Sequence, residues 1–332
     1  IPSITYISND DLWQKASAGN FPTPEKKGQV LPKADVLDKY IEAVLDNAGI
    51  RGFDDLKIVV DTANGMGGLI LPKLFAAVKN EPIKLFWEID GSFPNHEANP
   101  LNLETLKWLQ ESVVENKASF GAAFDGDGDR VAFVDEKGEP VPGDLITALI
   151  AREMLKQKPG AKILYDIRSS WAVPEEIKAA GGVPVPCRVG HGLIKKQMRA
   201  EGGYFAGELS SHYYFSTFYY TDNGDLAFLN IVKLLLHEGK PLSEIVAPLK
   251  RYYHTEEINS KVKDVNGKLA ELKTIYSGGK MNELDGLTVE FDDWWFNVRP
   301  SQTEPLLRLN LEAKTKEMMD EKTEELLKLI RA

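Results

Sequence analysis

The chain has 332 residues, of which 43% are hydrophobic and 27% are charged, a composition typical of a folded protein large enough for two or three cores. Its formal net charge of −10 excludes a dominant nucleic-acid role, because a nucleic-acid binder needs a basic surface that neutralises phosphates. No apolar run reaches the ~20 residues that cross a bilayer, so we expect no membrane partner.

The N-terminal residues 1–35 contain the segment GNFPTPEKKGQVLPK, whose proline, glycine and lysine content predicts an extended connector. The next segment, ADVLDKYIEAVLDNAG, has helical spacing and a glycine just past its end. The apolar face predicted for this helix consists of Val36, Tyr40, Val44 and Leu45.

Residues 36–141 alternate between strand and helix patterns, as in an α/β domain. The strand LKIVV leads into the glycine-rich turn DTANGMGG and a helix. The segment KASFGAAFD is a strand, and RVAFVDEKGEPV is a hairpin that turns at residues 135–138.

Residues 142–252 repeat the alternation and predict a second α/β domain. The segment GDLITALIAREMLKQKPG is a helix, for which Asp144 is the expected N-cap. The strand VPVPCRVG contains the only cysteine, Cys187, which cannot form an internal disulfide. We therefore expect a buried thiol and a reducing, cytoplasmic location.

Residues 253–332 follow a different pattern, with several strands in LTVEFDDWWFNVRPSQTEPLLRLNLEA and one amphipathic helix in TKEMMDEKTEELLKLIRA. This pattern predicts a smaller α+β domain, in which Trp294 and Trp295 are expected in the core, with an interface as the alternative. The expected fold class is α/β, with two consecutive mixed-sheet domains followed by that C-terminal domain. The oligomeric state stays open.

Three aspartates, Asp125, Asp127 and Asp129, alternate with glycines in FDGDGDR, between two strands. Carboxylates this close repel one another, so a hard divalent cation is the expected partner. Calcium in an EF-hand loop is one alternative, but the sixth position is Arg130 instead of glycine and the flanks are strand-like. A solvated acidic turn is another. Magnesium is favoured, with Arg130 placed to contact phosphate or carboxylate.

Two further loops carry polar side chains. In GELSSH, Glu208, Ser210 and His212 alternate, so an extended loop would point all three in one direction, towards the vicinal hydroxyls of a sugar. An ordinary polar loop is the alternative.

The segment RPSQTEP offers a guanidinium, hydroxyls and turn amides, a combination that holds a phosphate dianion. A polar hairpin turn is the alternative. The residues concerned are Arg299, Ser301, Gln302 and Thr303.

Arg168 and His191 each follow a strand, at positions where α/β sheets collect ligands. A lone histidine in such a position is more often structural than catalytic. The turn DTANGMGG is only weakly similar to a phosphate-binding glycine turn, since it lacks both the third spaced glycine and the P-loop lysine.

Taken in order, DGDGDR, GELSSH and RPSQTEP resemble the metal, sugar and phosphate loops of the α-D-phosphohexomutases, the phosphomannomutases and phosphoglucomutases. DTANGMGG and FPNHEANPLN resemble stretches of that family's second domain. The resemblance implies that the three aspartates bind Mg²⁺ and that Arg130 stands beside the reacting phosphate. It also implies that Glu208, Ser210 and His212 bind the sugar. The non-reacting phosphate would be held by Arg299, Ser301, Gln302 and Thr303. Arg168 stands where the family often has a proton-transferring basic residue, commonly lysine, and His191 is expected near it.

The family's first domain carries a phosphoserine in a loop like TASHNP, which this sequence does not contain. Residues 1–35 are expected to be a linker and the tail of that domain, and this chain alone is expected to be inactive or nearly so. The implied activity interconverts hexose 1-phosphates and 6-phosphates through a hexose 1,6-bisphosphate, with mannose and glucose both accepted. A sugar-phosphate-binding protein without the nucleophile is the alternative, and a magnesium-dependent phosphatase is a weaker one.

Overall fold

The computed structural model describes five stretches of the chain, namely residues 7, 9–32, 35–53, 56–301 and 305–332. The chain divides into two compact units, residues 1–36 and residues 37–332. The first unit contains a helix that the sequence did not predict, α1 (Asn9–Ala18), whose residues are all exposed. Residues 19–32 contain neither helix nor strand, which agrees with the predicted connector.

A mixed sheet of five strands forms the centre of the first α/β domain in the described part of the chain. The strands are β1 (Ile58–Asp61), β2 (Ile83–Leu85), β3 (Phe120–Phe124), β4 (Val131–Asp135) and β5 (Pro140–Val141). They lie in the order β2-β1-β3-β4-β5, parallel up to β3 and antiparallel beyond it. The helices are α2 (Val36–Ala48), α3 (Gly67–Val78) and α4 (Lys107–Asn116).

The hairpin predicted between β4 and β5 is confirmed. The predicted face of α2 is right for Val44 and Leu45 but wrong for Val36, which is exposed. The buried stripe is instead Ile41, Val44, Leu45 and Ala48, the i, i+3, i+4, i+7 set of a helix packed on one side.

The described residues 143–249 contain a second five-stranded mixed sheet. Its strands are β6 (Lys162–Asp166), β7 (Val183–Cys187), β8 (Phe205–Gly207), β9 (Tyr213–Phe215) and β10 (Thr221–Asp222). They lie in the order β10-β9-β8-β6-β7. The helices are α5 (Gly143–Gln157), α6 (Ala172–Ala179), α7 (His191–Glu201), α8 (Gly224–Glu238) and α9 (Leu242–Val246). The Cys187 thiol is buried and free, as expected.

Asp144 is not the N-cap that the sequence predicted, because α5 already begins at Gly143 and the cap position is Pro142. The Asp144 side chain accepts hydrogen bonds from the backbone N–H of Leu145 at 2.8 Å and of Ser170 at 2.9 Å. Asp144 therefore connects the first turn of α5 to the loop after β6 by hydrogen bonds and does not cap the helix.

An antiparallel sheet forms the C-terminal domain. Its strands are β11 (Tyr253–His254), β12 (Ile258–Lys261), β13 (Lys280–Asn282), β14 (Leu287–Glu290), β15 (Trp294–Pro300) and β16 (Leu306–Ala313). The order is β11-β16-β15-β14-β13, with β12 also paired to β16. The helices are α10 (Val265–Ile275) and α11 (Lys316–Arg331). Trp294 and Trp295 are both buried, and Trp294 packs in the core of this domain, as expected.

The two mixed sheets share a continuous hydrophobic core, whereas the antiparallel sheet has a separate one. Phe228 on α8 lies with its ring 5.6–6.3 Å from four phenylalanine rings of the first domain, those of Phe53, Phe75, Phe120 and Phe124. The observed architecture confirms the expected fold class. None of the helices in the described residues has the length and apolar character needed to cross a bilayer.

Candidate active site

The acidic loop, residues 125–130, connects β3 to β4 and is organised around Asp125. One oxygen of this buried carboxylate accepts the backbone N–H of Gly128 at 3.0 Å and of Arg130 at 3.2 Å. The other accepts Nε of Arg130 at 2.6 Å. Gly128 has a φ of +78°, which glycine adopts without steric cost, whereas Gly126 does not have a positive φ. Asp125 therefore closes the loop and holds Arg130 in place.

The turn DTANGMGG supports the acidic loop from the neighbouring strand end. The backbone N–H of Met66 donates to the carbonyl of Gly126 at 2.9 Å. A Cβ added to Gly65 would lie only 2.6 Å from that same carbonyl oxygen, so the two chains approach closely because this residue has no side chain. Gly65 accordingly has a packing role against the acidic loop.

The acidic loop contains three carboxylates and a single positively charged side chain, that of Arg130, so it carries an excess of negative charge. The ligand oxygens of Asp125, Asp127 and Asp129 all lie within 4.8 Å of one another. Burial raises the pKa of the Asp129 carboxyl to about 6, and the Asp125 carboxylate adds to the shift. A divalent cation would remove this repulsion, and carboxylate oxygens are the ligands that Mg²⁺ takes. The donor set therefore fits the expected ion.

The sugar loop, residues 208–212, connects β8 to β9 and brings its three predicted side chains together. Ser210 Oγ lies 2.8 Å and Glu208 Oε2 3.4 Å from Nδ1 of His212. The buried Glu208 also accepts the hydroxyl of Tyr214 at 2.9 Å. Burial alone would raise the pKa of Glu208, but hydrogen bonds from His212 and Tyr214 hold it at about 2. Glu208 is therefore a carboxylate at neutral pH and an acceptor for hydroxyl groups.

The acidic loop and the sugar loop are held side by side by backbone contacts. Arg130 and His212 form an isolated antiparallel bridge, and the N–H of Val131 donates to the carbonyl of Ser211 at 3.3 Å. Ser211 has a φ of +65°, in the left-handed region that glycine adopts most readily. A non-glycine residue in that region costs about 1 kcal/mol, which is consistent with a backbone shape that suits glycine.

Arg168, at the end of β6, lies in a basic cluster with two residues of the antiparallel sheet, Arg299 and Arg308. Its guanidinium binds Asp166 at 2.6 Å and Glu257 at 3.0 Å. Burial would lower the pKa of Arg168, but the Asp166 carboxylate outweighs it and raises the pKa above its ordinary value. A guanidinium in this setting stays protonated, so it supplies charge and hydrogen bonds rather than a proton acceptor.

Glu257 joins the three arginines of the basic cluster. One carboxylate oxygen contacts Arg168 at 3.0 Å and Arg299 at 2.9 Å, and the other contacts Arg308 at 2.8 Å. Burial raises the pKa of Glu257, but its arginine partners, Arg299 first among them, lower it to about 2. Ser301 Oγ accepts from Arg308 at 3.4 Å. The predicted phosphate-loop residues Gln302 and Thr303 lie outside the described residues.

A continuous series of contacts runs from the acidic loop to the basic cluster through the sugar loop. The first contact joins Asp129 Oδ1 to Nε2 of His212 at 3.6 Å, and His212 in turn contacts Glu208. Beside Glu208, the N–H of Leu209 donates to Asp166 at 3.3 Å. From Asp166 the contacts continue through Arg168 and Glu257 to Arg299.

His191 lies at the acidic end of this series, whereas Arg168 lies at the basic end. The Nδ1 atom of His191 is 3.5 Å from Asp222 Oδ2, and its ring centroid is 6.4 Å from that of His212. Lys195, one turn further along α7, contacts Asp222 at 2.8 Å. Its position at i+4 from His191 could have been read from the sequence as one helix face.

Asp222 and Glu257 were not identified by sequence reasoning. Each lies in a segment without a periodic pattern, and each acquires its partners only when distant segments meet. Asp166 could have been found, because it lies two residues before Arg168 at the same strand end.

Comparison with known proteins covers most of the chain. Residues 38–138 match the family model described as phosphoglucomutase/phosphomannomutase, alpha/beta/alpha domain II. Residues 142–252 match alpha/beta/alpha domain III, and residues 257–329 match the C-terminal domain of the same family.

Curated relatives agree with these matches. The chain is 41% identical over 298 residues to a phosphomannomutase of Methanocaldococcus jannaschii, covering 90% of this chain and 66% of that protein. It is 35% identical over 330 residues to a phosphomannomutase of Salmonella montevideo, covering 96% of this chain and 72% of that protein. The chain thus spans about two thirds of the length of the curated relatives it matches.

A solved structure of a phosphoglucomutase/phosphomannomutase family protein from Burkholderia thailandensis has the same fold, with a TM-score of 0.86 at 30% identity. The similarity covers 96% of this chain and 69% of that one. On the family models, the curated relatives and this structural match together, the chain belongs to the phosphoglucomutase/phosphomannomutase family.

Proposed function

We propose that this chain is the metal-, sugar- and phosphate-binding part of a phosphohexomutase that interconverts hexose 1-phosphates and hexose 6-phosphates. The single observation that carries the proposal is the series of contacts from Asp129 through the sugar loop to Arg299. This series of contacts has a carboxylate cluster at one end and a guanidinium cluster at the other, and a carboxylate that accepts hydroxyl groups lies between them. That order suits a sugar with a phosphate at each end.

The basic cluster is the proposed site of the non-reacting phosphate. Arg299 and Arg308 lie on paired strands at directly opposed positions, so their guanidinium groups share one end of the hairpin. Guanidinium groups bind phosphate through two parallel charge-assisted hydrogen bonds. Because the basic cluster contacts the phosphate and not the sugar ring, it can bind a bisphosphorylated hexose in either orientation.

The sugar loop is the proposed site of the hydroxyl groups common to both orientations. Glu208 is ionised and already accepts one hydroxyl from Tyr214, and Ser210 and His212 lie beside it. These groups are proposed to contact hydroxyl groups that glucose and mannose share, so we expect both mannose and glucose phosphates to bind.

The acidic loop is the proposed site of the reacting phosphate. Asp125, Asp127 and Asp129 would hold Mg²⁺, which offsets the negative charge of the transferring phosphoryl group when bound. Arg130 is fixed by Asp125 through Nε, which leaves the two terminal nitrogens of its guanidinium to contact phosphate oxygens. His191, on the same side, is proposed to contact the reacting end of the substrate.

The proposed reaction needs a phosphoserine that lies outside residues 1–332. Its phosphoryl group passes to the free hydroxyl of the hexose phosphate, the serine O–P bond breaks, and the hydroxyl proton leaves to a base. A hexose 1,6-bisphosphate results, turns round while bound, and returns its other phosphoryl group to the serine oxygen. The overall change is an isomerisation, and catalysis rests on positioning and charge.

A sugar-phosphate-binding protein without a nucleophile is the second candidate, since the same three loops would bind the ligand. The printed names of the relatives, phosphomannomutase and phosphohexose mutases, favour the enzyme. The two candidates predict the same binding and differ only in turnover.

Calorimetric titration of the 332-residue chain with glucose 1,6-bisphosphate, mannose 1-phosphate and glucose 1-phosphate tests the proposal. Arg299→Ala is expected to weaken binding by about 10- to 100-fold, the equivalent of losing a charge-assisted contact of about 1.5–3 kcal/mol. Arg51→Ala, which removes an exposed arginine paired with Asp46, is the matched control and should bind normally. Binding that is absent, or unchanged by Arg299→Ala, would contradict the proposal.

Turnover separates the two candidates. The chain alone is expected to convert hexose 1-phosphate at a negligible rate. A longer protein that contains this chain together with a phosphoserine segment should convert it in the presence of Mg²⁺ and a trace of bisphosphate. If such a protein binds the sugar phosphates tightly and converts none of them, the mutase proposal is wrong and only sugar-phosphate binding remains.

A further inference from the structure

A second group of potential metal ligands lies beside the acidic loop and includes a histidine. The ligand atoms of Asp129, His212 and Asp222 all lie within 4.8 Å of one another. This cluster shares Asp129 with the three carboxylates discussed above but draws its other two members from the sugar loop and from β10. Its chemistry is therefore different from that of the acidic loop.

Asp222 has one carboxylate oxygen that is buried without a hydrogen bond. Its side chain is 9% exposed, and its Oδ1 accepts from Lys195 at 2.8 Å. Its Oδ2 makes no hydrogen bond within the described part of the chain. The Nδ1 atom of His191 lies 3.5 Å from this oxygen, at ion-pair distance but without a hydrogen bond. Leaving a buried carboxylate oxygen unsatisfied is unfavourable, so a ligand is expected there.

His212 is oriented so that one ring nitrogen is available to that ligand. Its Nδ1 lies 2.8 Å from Ser210 Oγ and 3.4 Å from the Glu208 carboxylate. Its Nε2 points towards Asp129, at 3.6 Å from Oδ1. A hydrogen-bonding partner on one imidazole nitrogen, with the other nitrogen directed at a carboxylate, is an arrangement that suits a metal-binding histidine, because the partner sets the tautomer and the ring orientation.

We propose that Asp129, His212 and Asp222 form a second cation site, which binds a transition dication of the Zn²⁺ type in preference to Mg²⁺. An imidazole nitrogen with two carboxylate oxygens is a donor set that suits Zn²⁺, whereas Mg²⁺ takes oxygen ligands. His191 is exposed and lies beside Asp222, so a side-chain rotation supplies a fourth ligand. The proposal concerns metal binding by this chain and does not rest on the proposed function.

The shared aspartate gives the proposal a second consequence. A carboxylate that is engaged by Zn²⁺ at the His212 cluster is a weaker ligand for Mg²⁺ in the acidic loop. Zn²⁺ is therefore expected to lower the affinity of the chain for Mg²⁺ without occupying Asp125 or Asp127.

The test is Zn²⁺ titration of the metal-depleted 332-residue chain, with a chromophoric chelator as competitor. The wild-type chain should bind one Zn²⁺, and Asp222→Asn and His212→Gln should each weaken binding by about 100-fold or more, beyond the 10- to 100-fold typical of losing a supporting residue. Asp127→Asn and His237→Ala are the controls. Asp127→Asn should weaken Mg²⁺ binding and leave Zn²⁺ binding within about threefold, because Asp127 is not in the cluster. His237 lies elsewhere, beside Glu153, and its loss should affect neither ion.

Replacing Zn²⁺ with Co²⁺ gives a spectroscopic measurement on the wild-type chain, which does not depend on whether the variants fold. Binding in a four-coordinate site that includes an imidazole should make the visible d–d absorption of Co²⁺ much more intense than that of the aqua ion or of an octahedral all-oxygen site. Zn²⁺ binding that is absent, that survives both cluster variants, or that is lost equally in Asp127→Asn would overturn the proposal. The last of these results would place the ion in the acidic loop alone.

Discussion

The two junctions between the three sheets are built in opposite ways. The first joins the two mixed sheets through an apolar core in which Phe228 packs against four phenylalanines of the first domain. The second joins the second mixed sheet to the antiparallel sheet largely through hydrogen bonds and ion pairs. Examples are the Trp171 N–H to Glu312 at 2.8 Å, the Trp171 indole to Glu290 at 2.9 Å and the Arg168–Glu257 pair.

This difference matches the tasks proposed for the loops on either side. The acidic and sugar loops belong to the apolar junction, where close packing leaves little freedom. The basic cluster spans the polar junction, where contacts can exchange with water or with a phosphate. A bisphosphorylated sugar that turns round while bound needs a fixed reacting end and a phosphate clamp that opens and recloses. We expect the polar junction to be the one that moves.

Phe228→Ala should break the apolar junction and have the largest effect. Removing a buried phenylalanine that contacts four others is expected to lower the free energy of unfolding by about 3–5 kcal/mol. Hydrogen exchange should rise in β3, β4 and α8 and stay unchanged in β14 and β15, which have their own core. Leu236→Ala, an exposed position on the same helix, should cost less than about 0.5 kcal/mol. Equal effects of the two substitutions would contradict the assigned packing.

Asp225 places one polar contact inside the apolar junction. It accepts the Tyr40 hydroxyl at 2.7 Å, and burial raises its pKa from 3.8 to about 6. Between these pH values the native state holds a proton that the unfolded chain has released, so stability should fall as the pH rises through that window. A shift of about two units corresponds to roughly 2–3 kcal/mol.

Asp225→Asn should remove that pH dependence and make the chain more stable than wild type above pH ~6, since the amide carries no charge. Urea unfolding at pH 4, 5, 6 and 7 measures the slope for both proteins. A wild-type curve with the same slope as Asp225→Asn across this range would show that Asp225 is ionised throughout.

Glu257→Gln tests the polar junction with a smaller loss of stability. An amide cannot neutralise Arg168, Arg299 and Arg308, so unfolding should become easier by about 1–2 kcal/mol. Phosphate affinity should rise by a few-fold, because the basic cluster gains one net positive charge, and the gain should shrink at high salt. Glu81→Gln, which removes an exposed carboxylate paired with Lys84, should change neither quantity. Weaker phosphate binding in Glu257→Gln would mean that Glu257 chiefly orients the arginines.

Several of the strands and helices, together with the acidic and sugar loops, could be predicted from the sequence because each depends on a short segment. The short continuous apolar runs FGAAF and VAFV define β3 and β4, which are buried at every position, without help from distant residues. Glu257 could not be predicted in this way, since it meets Arg168 89 residues away in the sequence. The buried face of α2 was missed for a related reason, because contacts with the rest of the fold decide which side of an amphipathic helix is covered.

The central claim is that the acidic loop and the basic cluster bind opposite ends of one sugar. A crystal structure of the chain with Mg²⁺ and glucose 1,6-bisphosphate tests it most directly. We predict one phosphate in contact with Arg299 and Arg308, ring hydroxyls against Glu208 and Ser210, and the other phosphate beside Mg²⁺ on Asp125, Asp127 and Asp129. A bisphosphate bound at only one of these ends, with its second phosphate directed into solvent, would contradict the account.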